Sequence, residues 1–127
     1  MNIKEAVISV LKNWNNFSGR ACRSEFWYFY LSFNLIIILL GFVDLFFLLY
    51  FTGFVSFVFN IIYITFQIII IIPYTSVASR RLQDRGISGW WQLSYLTIIG
   101  FFVIFILLML PAKEDENKWG RNPLLGQ

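Results

Sequence analysis

An all-α integral membrane protein is the fold class this sequence predicts, and three observations carry that expectation. Hydrophobic residues make up 58% of the 127 residues and charged residues 13%, about half the roughly 25% share of an ordinary soluble domain. From Phe26 to Ser79 the chain holds one charge, Asp44. From Trp90 to Leu110 it holds none. A water-facing surface cannot be made from so few charges, which excludes a disordered chain and a soluble solenoid. The length is that of a single domain.

The apolar runs set the elements. At 1.5 Å rise per residue, 26–79 makes about 80 Å of helix, or two crossings of a roughly 30 Å hydrocarbon core and a tight turn. Tyr50-Phe51-Thr52-Gly53 is the best turn available, so spans are expected at 26–49 and 55–79. The run 90–110 is long enough for a third. The alternative there is a re-entrant hairpin dividing at Gly100, which needs cover from protein or water. Ahead of the spans, residues 1–25 read as an interfacial helix and an Arg-rich entry. Ile3, Val7, Val10, Leu11 and Trp14 recur at helical spacing, and Asn2 with Glu5 makes an N-cap pairing. Docking of this helix on the end of the bundle is the other reading. Residues 80–89 read as an Arg/Asp loop and 111–127 as a polar tail. The charges of the first 25 residues leave no room for the apolar stretch of a cleavable signal.

Basic residues set the expected orientation. Lys4, Lys12, Arg20 and Arg23 precede the first span, Arg80, Arg81 and Arg85 follow the second, and the turn between them has none. The positive-inside rule therefore puts the N-terminus in the cytoplasm. With three spans, Lys113, Lys118 and Arg121 lie outside; with the re-entrant hairpin, all ten basic residues share one side. Trp27, Trp90 and Trp91 suit the interfacial level. Within the second span Ser56, Asn60, Tyr63 and Gln67 share one helix face, and Asn34 and Gly41 lie on the first. Such residues in lipid join helices by hydrogen bonds and close approach. Pro73 removes a backbone bond to Ile69 and is expected to bend the second span.

The chemistry on offer is narrow. There is no His, and Cys22 is the single Cys. No catalytic, cofactor-binding or metal-ligating set is predicted, and the chain is not expected to be an enzyme. A net charge of +3 is too small and scattered for nucleic acid. Two charged clusters flank the spans: Arg20, Arg23 and Glu25 before the first, and Arg80, Arg81, Asp84 and Arg85 after the second. An antiparallel hairpin returns both to one interface, with Glu25 within side-chain reach of Arg80 and Arg81. Read as a site, these Arg forks and carboxylates bind anionic lipid headgroups or an acidic protein partner. The alternative function is an oligomeric channel or transporter subunit using the polar face of the second span.

At these same residues the chain resembles a known family. F-x-G-R-x-x-R-x-E-F-W runs from Phe17 to Trp27 and includes Gly19. R-R-L-Q-D follows at Arg80 to Asp84, S-G-W-W at Ser88 to Trp91, and N-K-W-G-R-N-P at Asn117 to Pro123, with Gly120 inside it. Together they are similar to domain of unknown function 805, a family of small bacterial inner-membrane proteins. One position departs: the family pattern has His where this chain has Gln83. The resemblance implies an inner-membrane location and a multi-pass helical architecture, and no particular reaction.

Overall fold

Two long helices form the body of the protein. The computed structural model describes residues 1–125. Helix α1 (Ile3–Lys12) leads into α2 (Arg23–Tyr50) and α3 (Phe54–Asp84). A 3-10 helix (Gly89–Leu96), α4 (Ile98–Met109), and a two-residue hairpin of β1 (Glu116–Asn117) and β2 (Gly120–Arg121) complete the chain.

Helices α2 and α3 run antiparallel, joined by the turn through Gly53 where the sequence places one. Both are long and apolar enough to cross a membrane. Polar groups on α3 face α2 at the turn end: Asn60 Nδ2 donates to Asp44 Oδ2 at 3.2 Å, and the Tyr63 hydroxyl lies against Gly41. Nearer the other end, Gln67 and Asn34 line a common cleft, while Asn34 Nδ2 donates back to the Tyr30 carbonyl. The helix continues through Pro73, which is buried. Outward faces of both helices are bare Leu, Ile and Phe.

The buried core lies at one end only, where α1, the start of α2 and the last turns of α3 and α4 meet. Val10, Ala21, Phe26, Phe29, Val77, Ala78, Leu82, Ile104 and Leu108 fill it. This end is called the cap end below. The Asn2–Glu5 capping box forms as its sequence predicts. The face that α1 buries is narrower than its apolar pattern: Ala6 and Val10 are covered, while Ile3, Leu11 and Trp14 stay exposed.

Two expectations are corrected. The predicted loop 80–89 is helix as far as Asp84, and residues 80–84 are buried. Arg80, Arg81, Gln83 and Asp84 each find at least one side-chain partner inside the protein, so the helix has no reason to run out into water. The segment 90–110 is not one continuous helix. It breaks at Thr97, whose side chain accepts from Gly100 N and caps α4. A Cβ on Gly100 would stand 2.1 Å from the Ser94 carbonyl oxygen, so only glycine admits this reversal. Helix α4 has 12 residues, about 18 Å of rise, short of the roughly 30 Å core. Both ends of the segment return to α3: Gly89 packs on Ser79, and Arg81 takes the carbonyls of Leu108 and Leu110.

That return depends on the Gly89 contact, because a Cβ there would lie 1.9 Å from Ser79 Oγ and 3.2 Å from its Cα. Gly89→Ala is expected to cost about 1–3 kcal/mol through overpacking. A lowered melting temperature in detergent, followed by Trp fluorescence, checks this; an unchanged one contradicts it.

Candidate functional site

The charged clusters are the interior of the cap end. Asp84 ends α3 and accepts from two guanidiniums at once. Arg20 Nε donates to its Oδ1 at 2.8 Å, and Arg81 Nη1 donates to its Oδ2. The three side chains are 1%, 0% and 4% exposed for Arg20, Arg81 and Asp84. The second pair is Arg80 Nη1 with Glu25 Oε1 at 3.0 Å, and the same carboxylate oxygen accepts from Ser9 Oγ at 3.0 Å. The hairpin brings Glu25 to Arg80; Arg81, one residue on, turns away toward α4.

Three cations against two carboxylates leave one positive charge in excess. Backbone carbonyls supply the balance. Arg81 Nε donates to Leu108 O at 3.1 Å and its Nη2 to Leu110 O, so the guanidinium sits at the negative end of α4. Arg20 uses all five N–H groups. Besides Asp84 Oδ1, it reaches Asp84 O at 3.2 Å, Glu114 O at 2.8 Å, Gly120 O at 3.0 Å and Asp115 O at 3.4 Å. A planar fork suits this task better than a Lys ammonium.

The tail is thus fastened to the first helical hairpin. Asn117 Nδ2 donates to the Gln83 carbonyl at 2.9 Å, and its Oδ1 accepts from Trp119 N to close the β1–β2 turn. Gly19 lies beside the Arg80 stem. Ser79 Oγ and Gln83 Nε2 both donate to the Phe17 carbonyl, at 2.9 and 3.0 Å. Ser76 Oγ lies within hydrogen-bond distance of Asn13 O and Asn16 O.

The structure therefore gathers Gly19, Arg20, Glu25, Arg80, Arg81, Asp84, Asn117 and Gly120 at one end of the protein, in two neighbouring ion-pair clusters. Others stand apart. Arg23 is exposed, Trp27 packs on Phe26, Tyr30 and Phe105, Trp90 and Trp91 are exposed, and Pro123 lies in the turn after β2. Arg20 and Arg81 are not open forks; their donors are spent on the protein's own acceptors. Sequence reading missed the carbonyl acceptors of Leu108, Leu110, Glu114 and Gly120, and carbonyls carry no residue signature. It also missed Ser76 and Ser79, whose small side chains three apart at the end of an apolar helix were the available signal.

A pair of apolar membrane-length helices whose ends are locked by buried arginines defines a helical membrane protein with a folded cap. Residues 14–121 match the family described as protein of unknown function (DUF805), and the chain belongs to that family. It is 32% identical over 119 residues to inner membrane protein YhaH of Escherichia coli strain K12, covering 93% of this chain and 95% of that one. It is 29% identical over 120 residues to inner membrane protein YhaI of the same strain, covering 94% and 95%. No solved structure matches. The apolar helices and these relatives place the chain among bacterial inner-membrane proteins.

Two substitutions test the network. Asp84→Asn removes a buried charge from between two guanidiniums and is expected to cost about 3–5 kcal/mol, read as detergent thermal stability. A double-mutant cycle on Glu25→Gln and Arg80→Gln is expected to show coupling above about 0.5 kcal/mol, with less for Glu25 and Arg81. Equal coupling in both cycles contradicts the pairing seen here.

Proposed function

We propose that this protein is a non-enzymatic inner-membrane module whose cytoplasmic cap binds anionic lipid headgroups. The observation that carries the reading is the placement of charge. Both the N-terminal segment and the tail fold onto the cap end, so the ten basic residues gather there and the turn at 51–53 has none. Six of them, Lys4, Lys12, Arg23, Lys113, Lys118 and Arg121, are exposed. Under the positive-inside rule this corresponds to two spans, with 89–110 entering and leaving on the cytoplasmic side and α1 lying at the interface. A rim of exposed cations at that level attracts anionic headgroups.

The buried arginines shape the cap, and the exposed ones meet the membrane. The carboxylates best placed for chemistry, Glu25 and Asp84, are each held by arginine, which favours binding over catalysis. The channel alternative draws on the polar face of α3. That face is directed at α2 within the same chain, which favours a packing role.

Two measurements test the reading. In a Cys22→Ser background, single Cys residues at Thr52 and Lys118 are expected to be labelled and protected, respectively, by impermeant reagent in intact cells. Labelling at both, with Lys4 protected, restores three spans. Arg23→Gln is expected to lower retention of an anionic lipid relative to phosphatidylcholine by about fivefold, the effect of about 1 kcal/mol per surface charge. Mass spectrometry of the purified protein's lipid reads this, and unchanged retention in Arg23→Gln and Lys12→Gln together refutes it.

A further inference from the structure

We propose that two copies of this chain associate in the membrane through the cleft between α2 and α3, with their Gln67 amides pairing across a two-fold axis. The inference rests on the two-span hairpin proposed above and is independent of headgroup binding at the cap. The cleft has a volume of about 300 Å³. Tyr30, Phe33 and Asn34 line it from α2, and Gln67, Ile70 and Tyr74 line it from α3.

The polar side chains between these helices are not equally provided for. Nearer the turn, Asn60 bonds Asp44, and Tyr63 lies on Gly41. Gln67, on the same face of α3, has no hydrogen-bond partner among the described residues. It is half-buried, and its amide is open to the cleft rather than sealed in the packing. Asn34 gives Nδ2 to the Tyr30 carbonyl, and its Oδ1 is likewise open and without a donor. Gln67 lies 13 residues beyond Phe54 and Asn34 lies 16 before Tyr50, about 20 and 24 Å from the turn end at 1.5 Å per residue. A hydrocarbon core of roughly 30 Å encloses both levels. Acyl chains offer an amide no hydrogen bond there, and leaving it unpaired is costly.

The occupant of the cleft therefore brings donors and acceptors together. Each chain presents two open amide oxygens, Gln67 Oε1 and Asn34 Oδ1, and the two N–H groups of Gln67. A ligand with carbonyls alone would leave the oxygens unpaired. A phosphate or an ammonium would bring a charge that no lining residue balances. A second Gln67 matches on every count. The positive-inside bias inserts all copies in one orientation, so a two-fold axis along the membrane normal sets each residue against its counterpart at equal depth. Nε2 of each Gln67 then donates to Oε1 of the other, and its second N–H serves the Asn34 oxygen, about 4 Å away in level. Ile64, Ile68 and Ile71 are 44%, 59% and 56% exposed and supply apolar surface around the pair. Close packing with interhelical hydrogen bonds is what joins helices in lipid.

The test uses the full chain with a single Cys (Thr52→Cys in the Cys22→Ser background), labelled with donor or acceptor dye. Phosphatidylcholine liposomes withhold the anionic lipid of the cap reading. Energy transfer that persists as protein is diluted in lipid is expected, with two copies per particle by photobleaching. Gln67→Leu is expected to weaken association about tenfold, the effect of two interhelical hydrogen bonds, and Gln67→Asn to retain part of it. Gln67 bonds nothing in its own chain, so the Leu variant is expected to keep the monomer's thermal stability, which separates lost pairing from lost folding. Absence of transfer above random proximity in the Gln67 chain overturns the proposal, as does transfer unchanged by Gln67→Leu. So does a monomer retaining a small lipid that Gln67→Leu releases, which would mark a ligand cleft. If Thr52→Cys is shielded from impermeant reagent in intact cells, the two-span reading falls and this one with it. A labelled Thr52→Cys without transfer removes the dimer alone.

Discussion

The fastening of α4 and the tail to the first helical hairpin hangs on one carboxylate. Asp84 holds Arg20, which lies 64 residues away in sequence, and Arg81, one helical turn back. Through those two guanidiniums it reaches the end of α4 and the loop and hairpin of the tail. Burying such a network costs desolvation that its Coulomb attraction alone need not repay. The carbonyls of Leu108, Leu110, Glu114 and Gly120 take donors of Arg20 and Arg81 that Asp84 leaves over. Without α4 and the tail in place those two guanidiniums would lose these acceptors, which favours the one position the tail takes.

This explains a fold whose core is in an unusual place. In water, the apolar surface of α2 and α3 would be buried; in lipid it is already in its preferred solvent, and no hydrophobic force drives the helices together. The hairpin is held instead by scattered polar contacts, Asn60 with Asp44 and Tyr63 against Gly41, and by aromatic contact such as Phe47 stacked on Phe59 at 3.8 Å. Among the described residues dense packing is confined to the cap end, where polar and charged residues are concentrated and burial from water has a driving force. Val10, Phe26, Leu82 and Leu108 belong to that small core.

The same division separates the two kinds of cation. Arg20, Arg80 and Arg81 are structural members of the two buried ion-pair clusters. Lys12, Arg23 and Lys113 are exposed at the surface. A motif that looks like a phosphate-binding set in sequence is thus divided between interior and surface, and only the surface part is open to a ligand.

The sequence by itself determined the class, the two long helices with their turn near Gly53, the Asn2–Glu5 cap, and the charged residues that meet. Those features rest on local or one-dimensional properties: unbroken apolarity, a capping pair, and a hairpin that returns residue 80 to the level of residue 25. Only the tertiary structure decided that α3 stays helical through Asp84, that 90–110 reverses at Thr97, and that Arg81 faces α4 while Arg80 faces Glu25. Hydrophobicity measures whether 90–110 can enter a membrane and carries no term for where its ends are held. Gly89 against Ser79, and Arg81 on the last carbonyls of α4, fix both ends to α3 through backbone atoms that are the same in every residue.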